Sequence, residues 1–346
     1  MSDVLLDIRD LKTHFQMREG IVRAVDGVSL QVKRGQILGV VGESGCGKSV
    51  TAKCIVRIES PARIIQGEVL YYPALKENTK ASTVREVPLH ALKPTGREIR
   101  SIRWKAISMI FQEPMTSFGP MHTIGNQIQE ALTLHMNMKK DEAWEKATQS
   151  LDDVGMPRPT EVMNQFPHQL SGGMRQRAMI AMALCCQPDL LIADEPTTAL
   201  DVTTEAQILE LIKERQQALG MSVLFITHSL AVISQMADEI IVMYLGKIVE
   251  YADITSLFYD PKHPYTRALM GAIPRVDRDP EGRLAVLEGS VPDPYLRPPG
   301  CPFHPRCPEC IEGICNMVEP PLITLGPNRT VSCHLYAGTE QTENVK

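Results

Sequence analysis

The sequence predicts an α/β fold, and three segments carry the prediction. Ile37–Val41 (ILGVV) is an apolar run suited to a buried parallel strand, and it leads through a glycine-rich turn into a helix-compatible stretch that starts near Lys48. Leu190–Ala193 (LLIA) reads as a second buried strand, ending in two carboxylates, Asp194 and Glu195. Between them, Ser171, Gly172 and Gly173 precede MRQRAMIAMALCC, whose apolar side chains are spaced for burial along a helix.

The turn after the first strand, Gly42–Ser49 (GESGCGKS), fits G-x-x-x-x-G-K-[ST], a phosphate-binding loop. Its glycines let backbone N–H groups curl around phosphate oxygens. Lys48 bridges the β and γ phosphates, and the Ser49 hydroxyl takes a place on Mg²⁺. Strand before and helix after argue against a chance match, so Gly42, Ser44, Gly45, Cys46, Gly47, Lys48, Ser49 and Val50 are assigned to nucleotide binding.

At the end of the second strand, adjacent residues point to opposite sides, so Asp194 and Glu195 cannot do the same job. One can reach Mg²⁺ while the other polarises an attacking water, the division of labour that phosphoryl transfer requires. A solvated strand end is the plainer alternative, and the phosphate loop in the same chain weighs against it. The Ser171-Gly172-Gly173 turn would form a second anion site at a helix N-terminus. One subunit has no evident use for two.

Composition bounds the rest. The chain has 346 residues, 43% hydrophobic and 22% charged, ordinary values for a globular protein with one large core or two modest ones. Its 36 basic and 41 acidic residues give a formal charge of −5, so no global positive field is present to hold nucleic acid. The first twenty residues are charged throughout and lack the apolar stretch of a secretory signal. The longest apolar run, Met179–Cys186, is far short of a membrane span. A cytosolic setting is expected, and with it reduced cysteines.

Taken together, these segments resemble the ATPase subunit of an ATP-binding cassette (ABC) transporter. LSGGM, ending at Met174, is similar to that family's LSGGQ signature, with methionine where most members carry glutamine, and ADEP matches its Walker B end. The resemblance implies a P-loop NTPase core of the ABC type with an antiparallel β subdomain and an inserted helical subdomain. It also implies that the signature of one subunit closes over ATP held by another, which puts Ser171, Gly172, Gly173 and Asp201 on the partner's nucleotide in a head-to-tail dimer. By the same resemblance Phe15 stacks on adenine, Gln112 in MIFQEP touches Mg²⁺ and water, Ala199-Leu200-Asp201 crosses the dimer interface, and His228 senses the γ-phosphate. Glu195, His228 and Gln112 are then the catalytic set, and Ser49, Gln112 and Asp194 hold Mg²⁺.

The motif map divides the chain into a nucleotide-binding domain, residues 1–255 with the helical subdomain at about 113–169, and a C-terminal extension, 256–346. Helical runs are expected at Gln127–Leu134 and Asp141–Val154, and an extended loop insertion at Lys76–Arg100. The proline-rich extension, with HPYTRAL and PDPYLRPPGCPFHPRCP, resembles that of the dipeptide and oligopeptide permease branch of ABC importers, and with QFPHQLSGGM and ADEPTTALD the likeness covers nearly the whole chain.

Five of the nine cysteines, Cys301, Cys307, Cys310, Cys315 and Cys333, lie in that extension. Four thiolates can hold a cubane iron–sulfur cluster or a tetrahedral zinc, and spacing alone does not choose between these and free thiols. The branch resemblance implies a [4Fe-4S] cluster on Cys301, Cys307, Cys315 and Cys333, serving as a metal clamp for a tail with little core. The gap from Cys307 to Cys315 is one residue longer than the branch pattern, which leaves Cys310 as the substitute ligand.

The function implied is an ATP-hydrolysing subunit on the cytoplasmic face of the cell membrane, peripheral to two transmembrane permease subunits. It would be paired with a homologous second ATPase and fed indirectly by an extracytoplasmic substrate-binding protein. The cargo implied is di- or oligopeptides, with oligosaccharides, nickel or glutathione as alternatives. A soluble ABC ATPase without a transport role is the rival, and the long coiled-coil arms or second cassette of such proteins are missing from this sequence.

Overall fold

Both strands that define the sequence motifs form, and they lie in one sheet. The computed structural model describes residues 3–73, 86–112, 117–198, 200–272 and 289–338. Its strands are β1 (Val4–Gln16), β2 (Ile21–Lys33), β3 (Ile37–Val41), β4 (Arg63–Tyr71), β5 (Val87–Pro88), β6 (Ile107–Ile110), β7 (Leu190–Asp194), β8 (Ser222–Thr227), β9 (Glu239–Tyr244), β10 (Lys247–Asp253), β11 (Leu322–Gly326) and β12 (Arg329–Ser332). A four-stranded antiparallel sheet runs β2-β1-β4-β5. The larger sheet has the order β11-β12-β10-β9-β3-β8-β7-β6.

Neighbours from β9 to β6 pair in parallel, in the register Val41 beside Thr227 and Asp194 beside Ile226. Their carboxyl ends therefore share one edge. In open α/β sheets that edge is where ligands bind, because the loops leaving it converge. The phosphate loop follows β3, Gln112 follows β6, Asp194 and Glu195 end β7, and His228 follows β8.

The sheet is apolar on both faces, as parallel strands covered on both sides must be. Along β7 and β8, Leu191, Ala193, Val223 and Phe225 pack on one side with the helices Ile124–Met136, Lys140–Asp152, Gly172–Leu184 and Val202–Leu219. Leu190, Ile192, Leu224 and Ile226 pack on the other, against the antiparallel sheet and the helix Lys48–Ile55. The helices expected at Gln127–Leu134 and Asp141–Val154 occur as Ile124–Met136 and Lys140–Asp152. The first is capped by Thr123, whose hydroxyl accepts from the Asn126 N–H at 3.3 Å.

Two expectations are corrected. The segment Lys76–Arg100 is not an extended loop where it is described: residues 86–100 contain β5, a 3₁₀ turn at Leu89–Ala91 and the start of the helix Arg97–Ile102, with Leu89 and Ile99 buried. Residues 74–85 lie outside the description. The C-terminal segment is also not poor in core. Tyr265, Phe303 and Val331 are buried, and β12 pairs with β10, so the extension continues the main sheet. Its prolines concealed this, because they break the periodicity by which core positions are read. Among the described residues no helix is long and apolar enough to cross a membrane.

Candidate active site

The phosphate loop is built by close backbone packing. Gly47 has φ 102°, and a Cβ there would lie 2.2 Å from the Ala24 carbonyl oxygen, so only glycine fits. Gly42 stands behind the loop, where a Cβ would lie 2.2 Å from the Met243 carbonyl oxygen. Lys48 is 5% exposed and folds back inside the loop, its Nζ donating to the Gly42 carbonyl at 2.7 Å and the Glu43 carbonyl at 3.1 Å. Cys46 Sγ is a third, weaker acceptor at 3.7 Å, and a lysine among such uncharged partners keeps its charge available for an anion.

The two carboxylates at the end of β7 are placed for different work. Ser49 Oγ donates to Asp194 Oδ1 at 2.9 Å, which joins the side chains that the sequence motifs assign to Mg²⁺. Asp194 is almost fully buried, and burial first, then the Glu195 charge, raises its carboxyl above the usual range, while the Ser49 hydrogen bond opposes this. Glu195 stands at φ 48°, a left-handed conformation that a non-glycine residue rarely adopts. Gln112 Nε2 donates to Glu195 Oε2 at 2.9 Å, Thr198 Oγ1 donates to the same oxygen at 3.0 Å, and His228 Nδ1 lies 3.3 Å from Oε1.

The phosphate loop, Gln112 and Glu195 open on one cavity of about 410 Å³, which Asp194, Thr198 and His228 do not line. Ser44, Gly45, Cys46, Gly47, Lys48, Ser49 and Val50 form its phosphate end with Gln112 and Glu195, and Phe15, opposite Val22 in the β1–β2 ladder, lines another part of its wall. Asp293, Pro294 and Arg297 also line it. Arg297 is held there by Asp26, at 2.5 Å. Sequence reading missed these three, as it missed Thr198, although Thr198 sits inside the ADEPTTALD motif. It also missed Gln176, a buried amide that donates to the Pro196 carbonyl and ties the signature helix to the β7 loop.

Ser171, Gly172, Gly173 and Asp201 do not line this cavity. Ser171 caps the helix Gly172–Leu184, accepting from the Met174 N–H at 3.3 Å, and Asp201 caps Val202–Leu219, accepting from the Thr204 N–H at 3.0 Å. The two caps are neighbours: a Cβ on Gly173 would lie 2.9 Å from Thr204 Cγ2. Ser171, Gly172 and Asp201 are exposed, so the pair of helix N-termini forms a surface apart from the chain's own phosphate loop. Ala199 lies outside the described residues.

In the extension, Cys301, Cys315 and Cys333 are buried, Cys307 is half-buried and Cys310 is exposed. The Cys301 N–H donates to the Cys315 carbonyl at 2.8 Å. Burial pushes the Cys301 thiol up to about 12 and that of Cys307 up to about 11, with the neighbouring cysteines adding to both. Among the described residues, however, no three cysteine, histidine or acidic side chains come together as a metal-holding group. The expected cluster or zinc therefore gains no support from the side-chain geometry.

A family model described as ABC transporter matches residues 25–198, and one described as oligopeptide/dipeptide transporter, C-terminal region, matches residues 249–315. A probable peptide ABC transporter ATP-binding protein of Sinorhizobium fredii is 48% identical over 336 residues, covering 96% of this chain and 95% of the relative. The oligopeptide transport ATP-binding protein AppD of Bacillus subtilis is 46% identical over 342 residues, covering 98% of this chain and 99% of the relative. A solved ATP-binding cassette, dimeric, post-hydrolysis and bound to ADP and Pi, aligns with a TM-score of 0.61 at 26% identity, over 72% of this chain and 99% of that one. With the phosphate loop, the paired carboxylates and the signature helix in these positions, the chain belongs to the family of ABC transporter ATP-binding proteins.

Proposed function

We propose that this chain binds and hydrolyses ATP to energise an importer of di- and oligopeptides. The observation that carries the catalytic part is the arrangement around Glu195, where one carboxylate is held at a strained turn by Gln112, Thr198 and His228 on the wall of the phosphate cavity. Glu195 takes the proton of the attacking water as general base, while Gln112 and Thr198 fix the direction of its lone pairs. His228, exposed on the other side of the carboxylate, is placed to report on the γ-phosphate. Lys48 binds and orients the phosphates, and Phe15 the base. Ser49, Asp194 and Gln112 fit a Mg²⁺ ion, which when bound would neutralise charge on the phosphate oxygens.

The exposed surface of Ser171, Gly172, Gly173 and Asp201 supports head-to-tail pairing with a second cassette, in keeping with the dimeric structural relative. That second cassette is read as a homologue, and both as docked on two permease subunits at the cytoplasmic face of the membrane, with a substrate-binding protein outside. In this reading residues 1–255 are the nucleotide-binding domain, with about 113–169 as an inserted helical subdomain, and 256–346 are the extension. The peptide cargo rests on the match of residues 249–315 and on the peptide, oligopeptide and dipeptide names of the relatives.

The test is reconstitution of the chain with its permeases, second ATPase and binding protein. Peptide-stimulated phosphate release is expected, and stimulation by nickel, glutathione or an oligosaccharide in place of peptide would overturn the cargo. A [4Fe-4S] cluster on Cys301, Cys307, Cys315 and Cys333, with Cys310 as substitute and zinc as the alternative, belongs to the same reading. Its support is the sequence resemblance of the extension to the peptide-permease branch, not the side-chain geometry. Iron and sulfide in about a four-to-four ratio is the expected composition of anaerobically purified protein, and metal-free protein of unaltered stability would remove the clamp.

A further inference from the structure

The phosphate loop is gripped from the C-terminal extension. Arg306, beside Cys307, reaches Glu43, the second residue of the loop, with Nη1 2.8 Å from Oε2 and Nη2 3.2 Å from Oε1. The contact is two-pronged, and the Arg306 side chain is only 4% exposed against 27% for Glu43. Arg306 Nη1 also donates to the Tyr244 hydroxyl at 3.4 Å. From a second element of the extension, the helix Pro264–Gly271, the buried Tyr265 hydroxyl accepts the Glu43 N–H at 3.0 Å. Tyr265 is fixed in turn by Tyr244 and Phe303, with ring centroids 4.7 Å and 5.3 Å away. Glu43 thus has its backbone N–H and its carboxylate both held by the extension, while its carbonyl accepts from Lys48.

We propose that Arg306 and Tyr265 are positioning residues for nucleotide binding, acting through Glu43 on the phosphate loop. The physical reason has two parts. An unneutralised carboxylate in a loop that must receive phosphate repels the ligand, and the guanidinium cancels that charge at close range. The two contacts also fix the loop residue whose carbonyl holds Lys48, so the loop is preorganised before nucleotide arrives. The chemical state and folding of the extension are thereby felt at the ATP site, although 263 residues separate Arg306 from Glu43.

This inference rests on the reading of the loop as the ATP site, and the experiment separates the two. ATP affinity of the full chain is measured by fluorescence titration for wild type, Lys48→Ala, Arg306→Gln, Glu43→Gln, the Arg306→Gln/Glu43→Gln pair and Tyr265→Phe, with circular dichroism confirming the fold of each. Arg306→Gln is expected to weaken ATP binding on the order of tenfold, within the usual range of coupling between packed sites. The same change made in the Glu43→Gln background is expected to alter affinity less than about twofold, because no bare carboxylate is left to repel the ligand. A purely structural role for Arg306 would not make its effect depend on the Glu43 charge. Should Arg306→Gln not fold, Tyr265→Phe keeps the ring and removes one hydrogen bond, and a weakening of about threefold is expected. Affinity lost in Lys48→Ala but unchanged in folded Arg306→Gln and Tyr265→Phe, or equal effects of Arg306→Gln in both backgrounds, would overturn the inference alone. Absence of ATP binding by the wild-type chain would overturn the reading beneath it.

Discussion

Ser49 and Asp194 lie 145 residues apart in sequence and 2.9 Å apart in the fold, hydroxyl to carboxylate. The contact joins the phosphate loop to the end of β7, and in the proposed reading Asp194 is the member of the carboxylate pair that would hold Mg²⁺. Asp194→Asn keeps the shape and can keep the contact with Ser49, but it removes the charge. The Mg²⁺ concentration needed for half-maximal turnover is expected to rise roughly tenfold or more. Titration of phosphate release against Mg²⁺ checks this, and an unchanged midpoint would reassign the residue.

Lys48→Ala removes the cation inside the loop, where its present partners are the neutral carbonyls of Gly42 and Glu43. ATP affinity is expected to fall by about an order of magnitude or more, the loss of a charge-assisted phosphate contact. A direct binding titration that finds affinity unaltered would refute the assignment.

Ser171→Arg tests the dimer. The exposed serine is a helix cap, so its loss costs about 1 kcal/mol locally, and Ser171→Asn, which can still cap, controls for that. Arginine is expected to reduce turnover of the assembled complex at least about tenfold while ATP affinity at this subunit's own loop stays within about twofold. If the isolated chain lost ATP binding, the signature would be acting on its own nucleotide.

His263 supplies a pH dependence. It is buried, its Nδ1 accepts the Tyr265 N–H at 3.0 Å, and burial first, then the charge of Arg267, lower it from 6.5 to about 3. The folded value lies below the unfolded one, so the unfolded chain takes up the proton first. Stability is therefore complete above about pH 6.5 and is lost as the pH falls towards 3. Moving from about pH 7 to about pH 5 is expected to cost on the order of 2 kcal/mol in wild type. His263→Asn, which retains a capping acceptor, should flatten the slope in urea unfolding, and equal slopes would contradict the assignment.

Much of the site was legible because its chemistry is written in contiguous residues. GESGCGKS and ADEP each combine a strand end with the side chains that act there, and the parallel register then brings Lys48, Ser49, Asp194, Glu195, Gln112 and His228 to one edge without further information. The contribution of the extension was not legible. Arg306 and Arg297 lie in a proline-rich tail, and no periodicity links them to Glu43 and Asp26, their partners in the fold. The antiparallel addition of β12 to β10, and the burial of Tyr265 and Phe303 beside Tyr244, bring that tail to the phosphate loop. The loop read at Lys76–Arg100 failed for a similar reason: Pro88, Pro94 and Gly96 suggested a break, while Leu89 and Ile99 anchor the segment in the core.

The central claim, ATP hydrolysis by general-base chemistry at Glu195, is tested most directly by steady-state phosphate release from the assembled complex carrying Glu195→Gln, with ATP binding measured on the same preparation. The amide preserves the contacts with Gln112 and Thr198 in shape but cannot take the proton. Turnover is expected to fall by about 10²-fold or more with ATP affinity retained. Phosphate release within about twofold of wild type would contradict the account, because a general base cannot be removed at so small a cost.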